Sequence, residues 1–297
     1  MESTCDSILM QNSLMNLINA LQDRSQMNLA LKLLCQRQGP EVGVLLWSSP
    51  VAIPVLLREL QCAHVESGLL RMNSSQSRKV SRIISLLQCI CCNQDLTTQF
   101  LEQNIPSHVF PFITTNGHNV YLENSCKACL IFFISLLRRR PQEVVRFLLR
   151  TVFLYLCAHV LYIGGLRLKE RVVIILLFFL ADERGYELIC RNTSLLILII
   201  KGLNSAIALL HNGHSPNFLC NIILCYTRLA QNERARAFLR HQLPDTIKHT
   251  DLRCHLTREE NLLTSMELLV TQVYCEPIYV QVYGDHSDDV TQSENRN

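Results

Sequence analysis

Glycine and proline are scarce in this chain of 297 residues, at 10 and 9, and charged residues make up only 18% of it. So few backbone breakers disfavour a turn-rich β architecture and point to helices. Apolar runs of membrane length are lacking as well. The longest, Thr151 to Leu166, contains His159 and is bracketed by Arg150 and Arg167, whereas a bilayer span needs about 20 apolar residues. Val172 to Ala181 and Leu195 to Ile200 are shorter still, so buried helices are expected rather than membrane spans. Met1 to Asp6 is acidic and polar, without the basic, apolar, small-residue order of a signal peptide. A net charge of +3 is too small to identify a nucleic-acid binder on its own.

Hydrophobic residues reach 48%, and a chain of this size buries about three quarters of its unfolded surface. A sizeable core and a nearly all-α protein are therefore expected. The fourteen cysteines are spread through long apolar segments, which suits reduced thiols better than a disulfide framework. Charge is unevenly placed: between Leu136 and Arg171 there are eight basic residues (138, 139, 140, 146, 150, 167, 169 and 171) against Glu143 and Glu170, which can form a basic face.

One pattern recurs along the chain, an apolar helix, a short polar break, then an amphipathic helix ending on large apolar residues. It reads SLLQCICCNQDLTTQFL (85 to 101), SLLRRRPQEVVRFLL (135 to 149), LFFLADERGYELIC (177 to 190) and CYTRLAQNERARAFL (225 to 239), with a less regular copy at 29 to 47. Its anchors Phe100, Phe147, Ile189 and Phe238 lie 47, 42 and 49 positions apart. A period in the forties with two or three helices per unit is the mark of HEAT or armadillo arrays, in which each repeat covers its neighbour's apolar face. Val80, Ile83, Ile84, Leu87, Ile90 and Cys91 form one helical stripe, as do Phe218, Ile222, Cys225 and Leu229. Pro106, Pro141 and Pro244 stand where helices must begin or stop, and Asn93, Asp182 and Asn232 offer cap chemistry at the breaks. Three segments are expected: an N-terminal helical segment over 1–22, a repeat domain over 23–274 and a flexible tail over 275–297.

Candidate chemical sites are few. Cys89, Cys91 and Cys92 crowd together, but at 100° per residue Cys89 and Cys91 point about 160° apart, too far to converge on one tetrahedral ion. Cys126 and Cys129 share a helical face, with no second pair at zinc spacing and no strand before them. His64 and Glu66 lack the P-C-x-x-C that would complete a deaminase motif, and Gly164-Gly165 lacks the spacing and lysine of a phosphate loop. An enzyme would need a bound zinc ion or a thiolate of depressed pKa. Arg138, Arg139 and Arg140 end an apolar helix, where solvated cations complement the helix dipole. Arg228, Arg236 and Arg240 remain open between a solvated face and a superhelical groove that binds phosphates or acidic peptides.

The same residues carry a family resemblance. LLQC (86 to 89), PF (111 to 112), QEVVRFLL (142 to 149), GYELIC (185 to 190) and CYTRLAQNERARAFLRHQLPD (225 to 245) resemble the required-for-cell-differentiation family, the armadillo subunit of the CCR-NOT deadenylase complex. The likeness runs from about Pro40 to Thr250. It implies an armadillo-type superhelix of about six repeats with no catalytic activity and no cofactor or metal. It further implies an adaptor in mRNA decay, translational repression and gene regulation, docked on the large Not scaffold subunit and taking peptide motifs of RNA-silencing proteins. Single-stranded nucleic acid in a basic groove at Arg228, Arg234, Arg236 and Arg240 is the alternative partner, and a second copy of the chain a further one; no membrane partner is implied. The implied location is cytoplasm and nucleus. The chain departs from the family pattern at Ser48, Pro50, Arg171, Thr193, Leu195 and Asn217, as a diverged paralogue would.

Overall fold

In the computed structural model, residues 2–67, 71–115, 118–212, 216–248 and 260–274 are described; among them there are helices and no strand. The expected tail, 275–297, lies outside them. The helices fall into six successive units. The first holds α1 (Glu2–Asn19), a short 3-10 turn and α2 (Met27–Gln36); the second α3 (Pro40–Ser48), α4 (Ala52–Ser67) and α5 (Ser74–Ile90). The third holds α6 (Gln94–Glu102), the 3-10 helix Ile105–Phe112 and α7 (Val120–Arg139); the fourth α8 (Pro141–Leu148), α9 (Phe153–Ile163) and α10 (Leu166–Ala181). The fifth is α11 (Glu183–Arg191), α12 (Thr193–Ala208) and α13 (Pro216–Ala230), and the sixth α14 (Glu233–Gln242), α15 (Asp245–Lys248) and α16 (Glu260–Tyr274).

The recurring sequence pattern is the junction between the last helix of one unit and the first of the next. Local chemistry makes each break. Asn93 accepts from the Asp95 amide at 2.9 Å, Asp182 from Arg184 and Gly185 at 3.0 and 3.1 Å, and Asn232 from Ala235 at 3.1 Å, capping α6, α11 and α14. Pro141 starts α8, where its missing N–H costs nothing. Between α6 and the 3-10 helix the chain turns through Asn104 at φ 56°, a left-handed conformation that asparagine tolerates better than most residues.

The last helices of the units stack as a ladder: α5 packs on α2, α7 on α5, α10 on α7, α13 on α10 and α16 on α13. The middle helices make a second row, of which α9 against α12 is the most extensive contact. Each unit leaves an apolar face that only its neighbour covers, so the core is continuous. A line of rings runs through its centre, from Trp47 to Phe100 at 6.4 Å, Phe100 to Phe132 at 6.2 Å, Phe133 to Phe153 at 4.4 Å and Phe153 to Phe179 at 6.2 Å. Two glycines permit close helix crossings. A Cβ at Gly43 would lie 2.1 Å from the Cys89 carbonyl oxygen, and one at Gly185 2.3 Å from that of Phe179.

The run Thr151 to Leu166 holds the short helix α9, which buries Phe153, Leu154, Cys157, Val160 and Leu161 and leaves Tyr155 and Tyr162 at the surface, too short to span a membrane. By length and composition α7, at 20 residues, is apolar enough to cross a membrane. Its apolar side chains Leu122, Leu130, Phe132, Phe133, Leu136 and Leu137 are instead buried at 4% exposure or less, between α5 and α10.

Candidate functional site

The arginines at the unit junctions tie one repeat to the one before it. Arg228, near the end of α13, donates from Nε to the Leu180 carbonyl at 3.0 Å, closing the C-terminus of α10 one repeat earlier. Its guanidinium pairs with Glu183 at 2.5 Å and lies 4.2 Å from the centre of the Tyr186 ring. Arg139 does the same two junctions earlier, reaching the Cys92 carbonyl at 3.3 Å and the Cys92 sulfur at 3.5 Å beyond the end of α5. Arg140 reaches the Gln94 carbonyl at 3.4 Å. A helix end leaves carbonyls without intrahelical partners, and a cation there satisfies them and the dipole together.

This changes the expected basic face. Arg139 and Arg140 are bound to the preceding repeat rather than simply solvated. Lys169 is only 1% exposed and does not belong to a surface at all. Its ammonium donates to the carbonyls of Leu161 and Tyr162 at the end of α9, the latter at 2.9 Å, and to Ser205 Oγ on α12 at 2.9 Å. Burial pulls its pKa down to about 8. Arg146, Arg150, Arg167 and, half-buried, Arg171 are the basic residues of 136–171 left at the surface together with Arg138.

Of the four groove arginines, three are engaged. Besides Arg228, Arg234 donates to the Arg191 carbonyl at 3.2 Å and to Thr193 Oγ1, and Arg240 donates to the Val273 carbonyl at 2.9 Å, anchoring α16. Arg236, half-buried on α14, has no hydrogen bond or ion pair from its side chain among the described residues. Thus α13 and α14 bring the four onto neighbouring helices, and most of their donors are spent within the array. Of the family-divergent positions, Thr193 receives Arg234, Leu195 is buried, Ser48 bonds back to the Val44 carbonyl at 2.9 Å, and Pro50 and Asn217 are exposed.

The cysteines are packing residues with restrained thiols. Cys89, Cys91 and Cys92 each donate to the carbonyl four residues back in their own helical turn, at 3.3, 3.5 and 3.6 Å, so they diverge. Burial, with Cys92 nearby, pushes the Cys91 thiol far above the ordinary range; burial and then Glu123 push Cys126 up to about 12. Cys129, Cys157 and Cys225 are driven up by burial as well. Among the described residues no group of three His, Cys, Asp or Glu side chains is placed to hold a metal ion.

Sequence reasoning did not find a cleft of about 750 Å³ between the third and fourth units, at the meeting of α6, the 3-10 helix and α8. Only the unexplained Arg146 and Arg150 in the basic stretch pointed towards it.

Comparison with known proteins fits this geometry. The profile of the family described as "Cell differentiation family, Rcd1-like" matches residues 17–273, from the end of α1 through α16. The cell differentiation protein rcd1 of Schizosaccharomyces pombe is 27% identical over 213 residues, 72% of this chain and 75% of that protein. Protein CAF40 of Saccharomyces cerevisiae is 27% identical over 214 residues, 72% of this chain and 57% of CAF40, so the chain spans little more than half of that relative. Among solved structures, a computationally designed armadillo repeat protein for modular peptide recognition matches at TM-score 0.58 and 13% identity, covering 87% of this chain and 99% of the design. A designed armadillo protein in complex with the peptide (KR)4 matches at TM-score 0.56 and 13% identity over 88% of this chain and 99% of that one. These last likenesses establish the armadillo fold.

Proposed function

The chain belongs to the Rcd1-like cell differentiation family, and on that footing we propose that it is a non-catalytic adaptor subunit of the CCR-NOT deadenylase complex. It acts in mRNA decay, translational repression and regulation of gene expression, in cytoplasm and nucleus. It docks on the large Not scaffold subunit and holds peptide motifs of RNA-silencing proteins. The observation that carries this reading is the span of the family match over most of the array, residues 17–273, rather than over one motif.

The chemistry of the array supports binding over catalysis. The buried thiols are held protonated by desolvation, so none is a ready nucleophile. The ladder of last helices presents apolar side chains to solvent, with Ile131 on α7 at 38% exposure, Leu224 on α13 at 48% and Leu268 on α16 at 60%. Exposed apolar residues on three of these helices suit a partner whose side chains become buried against the array. The nucleic-acid alternative draws less support, because Arg228, Arg234 and Arg240 already satisfy carbonyls within the protein. Immunoprecipitation of the chain from cells tests the proposal. Enrichment of the large Not scaffold subunit over a control is expected, and its absence would remove the complex assignment while leaving the fold intact.

A further inference from the structure

The cleft between the third and fourth units has a volume of about 750 Å³, inside the range of about 300–1,000 Å³ in which ligand pockets fall. Leu101, Phe110 and Phe147 supply apolar walls, and Val152 at its edge is 60% exposed. Arg146 in the last turn of α8 and Arg150 just beyond its end flank those walls, and neither guanidinium has a hydrogen bond or ion pair among the described residues. Glu143, also in the lining, is held by Arg140 at 2.7 Å and accepts from Thr98 at 3.4 Å. Two cations at a helix C-terminus need no partner of their own; the exposed apolar wall beside them is what calls for one.

We propose that this cleft docks a short peptide bearing one large aliphatic or aromatic anchor next to acidic residues. The anchor covers Phe147 and Val152, and the acids pair with Arg146 and Arg150, whose planar guanidinium groups donate bidentately to carboxylates. The inference rests on the adaptor reading and gives it a site and a partner chemistry away from the ladder of last helices. A nucleic acid fits less well. Phe110 is packed 5.7 Å from Phe133 and from Phe153, which leaves little free ring face for stacking a base.

Selection of a random dodecapeptide phage library on the immobilised full chain tests the proposal. The expected peptides share a large apolar anchor flanked by Asp or Glu. By fluorescence anisotropy they should lose at least tenfold in affinity to Arg146→Glu/Arg150→Glu and to Thr98→Trp, which fills the cleft without changing charge. The Arg146→Lys/Arg150→Lys variant should retain partial binding. All these positions are exposed, so circular dichroism melting should match the parent and exclude unfolding as the cause. No enriched peptide, an enriched set without acids, or equal binding to the parent and both blocking variants would overturn the proposal. So would a twelve-nucleotide oligouridylate that binds more tightly than the peptides and is lost on charge reversal. Scaffold association is read separately: peptide binding without scaffold enrichment would sink the complex assignment and leave the cleft standing, and the reverse result would sink only the cleft.

Discussion

Arg228 Nε and the Leu180 carbonyl oxygen, 48 residues apart in sequence, meet at 3.0 Å. The separation is one repeat, and the bond closes the last turn of α10 with a side chain from the equivalent helix of the following unit. Arg139 and the Cys92 carbonyl repeat the relationship 47 residues apart at 3.3 Å. Two junctions are therefore locked by the same device.

Arg228→Ala should lower stability by about 1–3 kcal/mol, from a lost bond to a charged donor and a lost ring contact. The ion pair adds little, since Glu183 is 74% exposed. Arg236→Ala, on the next helix and without such contacts, should stay within about 0.5 kcal/mol. Urea unfolding of the two variants separates a structural Arg228 from a merely solvated one, and equal midpoints would contradict the tie.

Gly43→Ala and Gly185→Ala should each cost about 1–3 kcal/mol or more, because the new methyl group meets backbone that cannot rotate away. Gly39, where a Cβ meets nothing within 4 Å, is the control, and Gly39→Ala should be nearly neutral. Thermal melting of the three variants checks the order.

Lys169 has its folded pKa lowered to about 8 from 10.5. Between those values the unfolded chain binds more protons than the folded one, so this residue makes stability rise with pH, by up to roughly 3 kcal/mol. The buried thiols act oppositely: their raised folded values make stability fall as pH climbs above about 9. The test is thus a difference. Parent minus Lys169→Met, followed by urea unfolding from pH 7.5 to 10.5, should show a contribution growing with pH, and a flat difference would contradict it.

Of the cysteines among the described residues, thiol labelling of the native protein should modify exposed Cys62 first. Cys129, Cys157 and Cys225 should react only after denaturant is added, since burial disfavours their thiolates. Rapid native labelling of Cys91 or Cys126 would contradict the packing role given to them.

The junctions were legible in the sequence because their signals are local: Asn93, Asp182 and Asn232 cap within three residues, Pro141 starts a helix by its own geometry, and Val80 to Cys91 shows its stripe by spacing alone. The ties were not legible. Arg139 and Arg228 bind carbonyls, which every residue possesses, so nothing in the composition of Cys92 or Leu180 marks them as partners. Lys169 misled for a related reason. Counted with its neighbours it extends a basic stretch, whereas the packing of α9, α10 and α12 turns it inward onto three oxygens. The cleft likewise exists only once α6 and α8, from different units, stand side by side.

The central claim, an adaptor seated on the CCR-NOT complex, is tested most directly by titrating the purified chain with the purified family-binding segment of the large Not scaffold subunit in a calorimeter. The account predicts saturable one-to-one binding with a negative heat-capacity change, the sign of buried apolar surface. No detectable heat or complex, from a chain that melts cooperatively and under conditions where a typical family member binds, would contradict it.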